Sequence, residues 1–396
     1  MVTLVATYVA RRLAVRFSFI VVPDDRRVHE RPTPTLGGAG MFVGLLAAMA
    51  VASQLAGLRG VFRGDSEPLG LVVGAAVIFT IGTVDDLRDM SPPAKVAGQV
   101  LAGTVLYLAG LTMLFFRVPL MGTTLVLSPS IAPLLTVVWV VGMANAINLI
   151  DGLDGLAAGI VLIAASTFFV YAHELVANGN VQGTNAPLGP LVAVVVAGLC
   201  AGFLPHNFPH QARIFMGDAG AMLLGLLMAA STMSVVGQTQ NTFSGKTYFL
   251  FAPIFIPFLI LGIPILDTAF AIIRRAGRRA NPAMADKNHL HHRLMRLGHG
   301  HNRSVVILWI WTALLSTLVL YPSLADRNTV YVPIGIAALG VALYTLFAPR
   351  GRLAVHGVRG GHGSDGKAPP GAPPARDGRA AAPAGEGAGR GRGPSG

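Results

Sequence analysis

The polar residues of this chain sit in short clusters between long apolar blocks. Apolar stretches close to the ~20 residues that cross a bilayer run over roughly 39–58, 68–84, 96–116, 132–147, 156–176, 187–204, 219–236, 247–273, 304–321 and 330–348. This pattern predicts an all-α integral membrane protein, a polytopic bundle of ten or eleven transmembrane helices. The eleventh depends on the N-terminus, MVTLVATYVARRLAVRFSFIVV, whose apolar run is interrupted by Arg11, Arg12 and Arg16. It reads either as an interfacial helix or as a span with a missing beginning. A signal peptide is disfavoured, because the charges follow the apolar run instead of preceding it. The membrane domain covers 1–348; from 349 to 396 the chain becomes rich in Gly, Pro, Ala and Arg and reads as a disordered cytoplasmic tail.

Composition agrees. Charged residues make up 12% of the chain and apolar residues 53%, whereas an ordinary soluble protein carries roughly a quarter charged residues. A soluble globular fold is thereby excluded. The formal net charge of +12 is unevenly spread. If the loop beginning at Arg274 is cytoplasmic, alternating spans collect Arg11, Arg12, Arg16, Arg26, Arg27, Arg31, Arg88, Lys95, Arg213 and the run from Arg274 to Arg303 on that side. The positive-inside rule then orients the chain as a multi-pass plasma-membrane protein. The single cysteine, Cys200, has no partner for an intrachain disulfide and reads as a small apolar residue within a helix.

Ionisable groups beside membrane helices are costly and mark function by default. Three acidic clusters fall at the same predicted cytoplasmic boundary: Asp85, Asp86 and Asp89 in VDDLRDMSPP; Asn145, Asn148, Asp151 and Asp154 in NAINLIDGLDG; and Asp218 in FMGDAG. The second cluster recurs every three residues, which on a continuous helix keeps four oxygen-bearing side chains on one slowly drifting stripe. Helix-end capping explains one or two of these residues but not the set; for Asp89, capping or a turn is as good a reading as function. Clustered carboxylates and carboxamides without cysteine suit a hard cation such as Mg²⁺, with Mn²⁺ as a substitute, shared with substrate phosphates. Lys95 and the run His289-Leu290-His291-His292-Arg293 supply positive partners for phosphate; the His-rich run also admits a transition-metal reading. In PTPTLGG, Gly37 and Gly38 open a helix whose free N–H groups suit an anionic or carbonyl-bearing ligand.

Taken together, RRVHERPTPTLGG, VDDLRDMSPPAKVAGQ, NAINLIDGLDGLAAG, FMGDAG and HLHHRL resemble the polyprenyl-phosphate N-acetylhexosamine-1-phosphate transferase family over about 11–348. The resemblance implies a cytoplasmic cleft in which a sugar 1-phosphate passes from a UDP-sugar to a polyprenyl phosphate, releasing UMP. It implies Asp218 and Asn148 as Mg²⁺ ligands, Asp154 facing the uracil and Asp151 lining the same pocket. Asp85 and Asp86 would meet the lipid phosphate, Lys95 would steady phosphate oxygens, and Asn145 would join the substrate-binding residues. His289, His291, His292 and Arg293 would close over the sugar diphosphate. A homodimer is left open, and no nucleic-acid partner is expected.

Two positions depart from the family pattern: Ala221 stands where a small hydroxyl residue is usual, and Val21 where an Asp is usual. The His-Leu-His-His-Arg order favours UDP-N-acetylglucosamine, or a similar simple sugar, over the phospho-MurNAc-pentapeptide branch. A secondary transporter is the alternative from a different class, but it would carry its acids near the midplane and show an inverted repeat.

Overall fold

In the structure, a computed structural model, residues 1–21, 32–63, 66–117, 124–177, 188–208, 211–235, 301–324, 335–337 and 339–341 are described. The helices are α1 (Val2–Arg16), α2 (Gly37–Gln54), the short α3 (Arg59–Phe62), α4 (Glu67–Arg88), α5 (Pro92–Leu108), α6 (Ala132–Ile150), α7 (Leu156–Ala177), α8 (Leu188–Asn207), α9 (Gly217–Val235) and α10 (His301–Leu324). Two short antiparallel ribbons join them, β1 (Ile20–Val21) with β2 (Thr33–Pro34), and β3 (Phe115–Arg117) with β4 (Thr124–Val126). Among the described residues six helices, α2, α4, α6, α7, α8 and α9, are long and apolar enough to cross a membrane. The chain is an all-α polytopic membrane protein. The span expected at 247–273 and the tail from 349 lie outside the described residues, as does most of the span expected at 330–348. Met1–Gly351 forms one compact unit.

Helix α9 is the central post. Every residue from Ala219 to Val235 is buried, which suits a helix with no polar face. It packs on α2, α4, α6 and α8, and small residues let those neighbours come close. A Cβ at Gly82 of α4 would lie 2.4 Å from Ala219 Cα, and one at Gly225 of α9 would lie 2.5 Å from Ala144 Cα of α6. Cys200 is buried in α8, and Ala221 is fully buried in the core beside Met222.

The structure corrects one expected span. The apolar block 96–116 is not a single helix: α5 stops at Leu108, Gly110 takes φ +99, and Leu111 N–H donates to Leu106 O at 3.0 Å. That glycine-closed helix end releases Phe115–Arg117 into the β3–β4 ribbon. Helix α1 runs antiparallel to α2, with Thr7 against Gly40 and Thr3 against Gly44, and Thr3 also meets Gly202 of α8. It therefore packs lengthwise against α2 and α8. Its 15 residues reach about 22 Å at 1.5 Å per residue.

Because backbone atoms of α9 cannot move aside as a side chain can, Gly82→Leu is expected to cost about 3 kcal/mol, read as a lower melting temperature of the detergent-purified protein. Gly142 of α6 is exposed with nothing within 4 Å of a built Cβ, so Gly142→Ala is expected to leave the melting temperature unchanged or slightly raised.

Candidate active site

Distant segments meet at one end of the bundle through backbone pairing. Phe215 N–H donates to Pro34 O, Gly37 N–H to Phe215 O and Gly38 N–H to Met216 O, each at 2.9 Å. The N–H groups that open α2, which suited a carbonyl-bearing ligand in the sequence, thus receive carbonyls of the F-M-G-D segment. This zipper fixes the turn that leads into α9.

Asp86 completes that turn. Its Oδ1 accepts the Asp218 N–H at 2.8 Å and its Oδ2 accepts the Ala219 N–H at 3.2 Å, so the carboxylate caps the first turn of α9. Gly217 precedes the cap with φ +68, and a Cβ there would lie 2.3 Å from Asp86 Oδ2 and 2.7 Å from Thr35 Oγ1. A glycine is needed for both the backbone angle and the space.

Beside the cap, Lys95 gathers the remaining groups. Its ammonium pairs with Asp218 Oδ2 and with Asp85 Oδ2 at 2.9 Å. Asp85 Oδ1 accepts the Met90 N–H at 2.7 Å, while Asp89 closes α4 in the left-handed conformation, its N–H donating to Asp85 O at 3.0 Å. Capping is therefore the role of Asp89. Asn148, with its amide oriented to satisfy both neighbours, donates to Asp218 Oδ1 at 2.8 Å and accepts from Lys95 Nζ at 3.1 Å.

The expected stripe of four residues breaks after two. Helix α6 ends at Ile150, Gly152 N–H turns back to Ile150 O at 2.7 Å, and Gly155 has φ +77. The chain thus leaves the helical path at the glycines, and only Asn145 and Asn148 lie on α6. Asp154 Oδ2 accepts the Ala212 N–H at 3.0 Å, tying this turn to the α8–α9 linker. Asp151 remains at the site: burial, then the carboxylates of Asp218, Asp86 and Asp154, push its carboxyl well above the usual carboxylate range. Asn145 points elsewhere, onto Gln99 of α5, to which it donates at 2.6 Å.

The structure therefore brings together Asp85, Asp86, Lys95, Asn148, Asp151 and Asp218, with Asp154 on the neighbouring turn. His289, His291, His292 and Arg293 lie outside the described residues. Sequence reasoning missed Gln99 and Asn207. Asn207 is buried; its Oδ1 accepts the Gly155 N–H at 2.6 Å and its Nδ2 donates to Ile214 O at 3.0 Å. A lone Asn at the end of an apolar helix was the available signal.

Among the described residues, the five carboxyls of Asp85, Asp86, Asp151, Asp154 and Asp218 outnumber the ammonium that sits among them. No group of three or more His, Cys, Asp or Glu there is arranged to hold a metal ion by itself. The donors nevertheless fit a hard cation that takes one or two protein oxygens and completes its shell from phosphate. Oxygens of Asp218, Asp85 and Asn148 already converge on one positive group, the Lys95 ammonium.

The model of glycosyl transferase family 4 matches residues 68–236. The chain is 37% identical over 350 residues to a decaprenyl-phosphate N-acetylglucosaminephosphotransferase of Mycolicibacterium smegmatis, covering 87% of this chain and 85% of that one. It is 39% identical over 358 residues to the protein of the same name in Mycobacterium leprae, with 89% and 84% covered. A probable undecaprenyl-phosphate N-acetylglucosaminyl 1-phosphate transferase of Bacillus subtilis is 37% identical over 307 residues, with 78% of each chain covered.

If Asp86 acts as the cap, Asp86→Ala and Gly217→Ala are each expected to cost about 2 kcal/mol of stability. Asp86→Asn keeps an acceptor oxygen and is expected to cost less than half as much. Thermal melting of the purified variants checks the order; equal losses for Asn and Ala would remove the cap assignment.

Proposed function

This chain belongs to the polyprenyl-phosphate N-acetylglucosamine-1-phosphate transferase family, and from that membership we propose how its site performs the transfer. GlcNAc-1-phosphate passes to a decaprenyl or undecaprenyl phosphate in the membrane. UDP-N-acetylglucosamine is the donor. An oxygen of the lipid phosphate attacks the phosphorus that carries the sugar, the P–O–P bond breaks, and UMP leaves with the bonding electron pair. The observation that carries this reading is the convergence of Asp85, Asn148 and Asp218 on Lys95, beside Asp151. Phospho-MurNAc-pentapeptide transfer is disfavoured, since the relatives named above all carry N-acetylglucosamine in their names.

Phosphoryl transfer needs positioning and charge neutralisation more than covalent chemistry. Asp218 and Asn148 would hold Mg²⁺, which when bound neutralises diphosphate oxygens and favours departure of UMP. Lys95, released in part from the acids, steadies phosphate oxygens. Asp85 directly precedes the capping Asp86 and lies within reach of Lys95, which suits placing the acceptor. A phosphate monoester has a second pKa of about 6, so the acceptor is already largely dianionic at neutral pH and asks little of a general base. The turn carrying Asp151 and Asp154, tethered by Asn207 and Ala212, is the proposed wall for the nucleotide. Arg11, Arg12, Arg16, Arg88, Lys95 and Arg213 all lie toward the site end of their segments, which supports a cytoplasmic orientation by the positive-inside rule.

The test uses membranes carrying the full chain, supplied with radiolabelled UDP-GlcNAc, polyprenyl phosphate and Mg²⁺. Label is expected in the lipid phase with matching UMP release; no lipid label would overturn the reading. Asp85→Asn is expected to reduce turnover by about 100-fold while UDP-GlcNAc binding changes by less than about threefold. Loss of binding in that variant would move Asp85 to the donor. Asp218→Ala is expected to abolish Mg²⁺-dependent turnover.

A further inference from the structure

One helical turn below the site, the same three helices meet a second time. Gln99 lies four residues after Lys95 on α5, Asn145 three before Asn148 on α6, and Met222 four after Asp218 on α9. On a helix these spacings put each residue directly beneath its partner. Gln99 is fully buried. Its Oε1 accepts from Asn145 Nδ2 at 2.6 Å, and its Nε2 donates to Asn145 Oδ1 at 3.3 Å and lies 3.1 Å from Met222 Sδ. Asn145 Nδ2 also donates to Val141 O at 2.8 Å. In this reciprocal contact each head group is bonded to the other.

We propose that Gln99 and Asn145 are positioning residues: their amide pair, fully buried at Gln99 and half-buried at Asn145, sets the mutual height and rotation of α5, α6 and α9, and so the distances among Lys95, Asn148 and Asp218. The inference deepens the proposed transfer reaction and rests on it. In an apolar surround an amide without its partner is strongly disfavoured, so the two head groups seek each other and fix helix register in a way that interchangeable methyl groups do not. Just beyond, Gly225 of α9 lies against Ala144 of α6, and that contact holds the two helices close without specifying their rotation. Asn145 on this account acts through Gln99, not on the substrate.

Four full-length variants test it: Gln99→Leu, Asn145→Leu, the double Leu variant, and the exchange Gln99→Asn with Asn145→Gln. Each single Leu variant is expected to lower kcat about tenfold, as small misplacements of reacting groups do, with the KM for UDP-GlcNAc within about threefold of wild type. The double is expected to be no worse than the poorer single, because the two act as a unit. The exchange restores an amide pair and is expected to recover kcat to within about threefold. Multiplying losses in the double, no rescue by the exchange, or a raised KM for Asn145→Leu with Gln99→Leu silent would each overturn the proposal. Acylation of Lys95 by an amine-reactive ester, followed by mass spectrometry, requires no turnover. It is expected to be several-fold faster in the single Leu variants and restored in the exchange. If wild type transfers no sugar, this readout still decides the pair; unchanged Lys95 reactivity in the single variants would refute it. A variant that does not fold leaves the exchange to decide.

Discussion

A helix that begins at a membrane boundary presents N–H groups that neither lipid nor its own backbone can satisfy, and in this protein Asp86 meets that demand for α9. Much else follows from that one carboxylate. Helix α9 is the buried post around which α2, α4, α6 and α8 pack, so fixing its first turn fixes the origin of the bundle. The cap comes from α4, the helix that also carries Asp85, and it holds the backbone of Asp218 itself. One interaction therefore sets the separation of the two acids that flank Lys95. The β2 pairing through Pro34 and Phe215 supports the same turn from the other side.

The second constraint is electrostatic. Five carboxyls near one boundary repel one another, and Asp151, half-buried beside three of them, is held well above the usual carboxylate range. Lys95 relieves part of this by joining Asp85 and Asp218. Oxygen donors already aimed at a cation, among more carboxyls than ammonium groups, fit the proposal that a divalent ion enters together with a diphosphate. Stability and function pull in the same direction here, because the lysine that neutralises the acids at rest is the group proposed to steady phosphate during transfer.

The helices were legible because a bilayer demands long apolar blocks, and those blocks are visible in the chain from Gly37 to Val235 and again from His301. Legibility failed where a glycine sits inside or beside such a block. Gly110 ends α5 early, and Gly152 and Gly155 bend the path that a three-residue spacing alone would continue as helix. Asp85, Asp86, Lys95, Asn148, Asp151 and Asp218 were recognisable as a group, since acids and amides gathered at one membrane boundary are costly unless they serve chemistry. Their division of labour was not: adjacent Asp85 and Asp86 look alike in sequence, and only the long-range approach of α9 separates the residue facing Lys95 from the residue that caps. Gln99 was hidden for a similar reason, its partner being 46 residues away.

If Asp218 anchors a divalent cation shared with the donor diphosphate, direct metal binding reveals it without requiring turnover. Electron paramagnetic resonance of Mn²⁺ with the purified protein should show loss of the free-ion signal when UDP-GlcNAc is added to wild type, and no such loss with Asp218→Ala, whose helical circular dichroism is retained. Mn²⁺ bound equally by Asp218→Ala and wild type in the presence of UDP-GlcNAc would contradict the account.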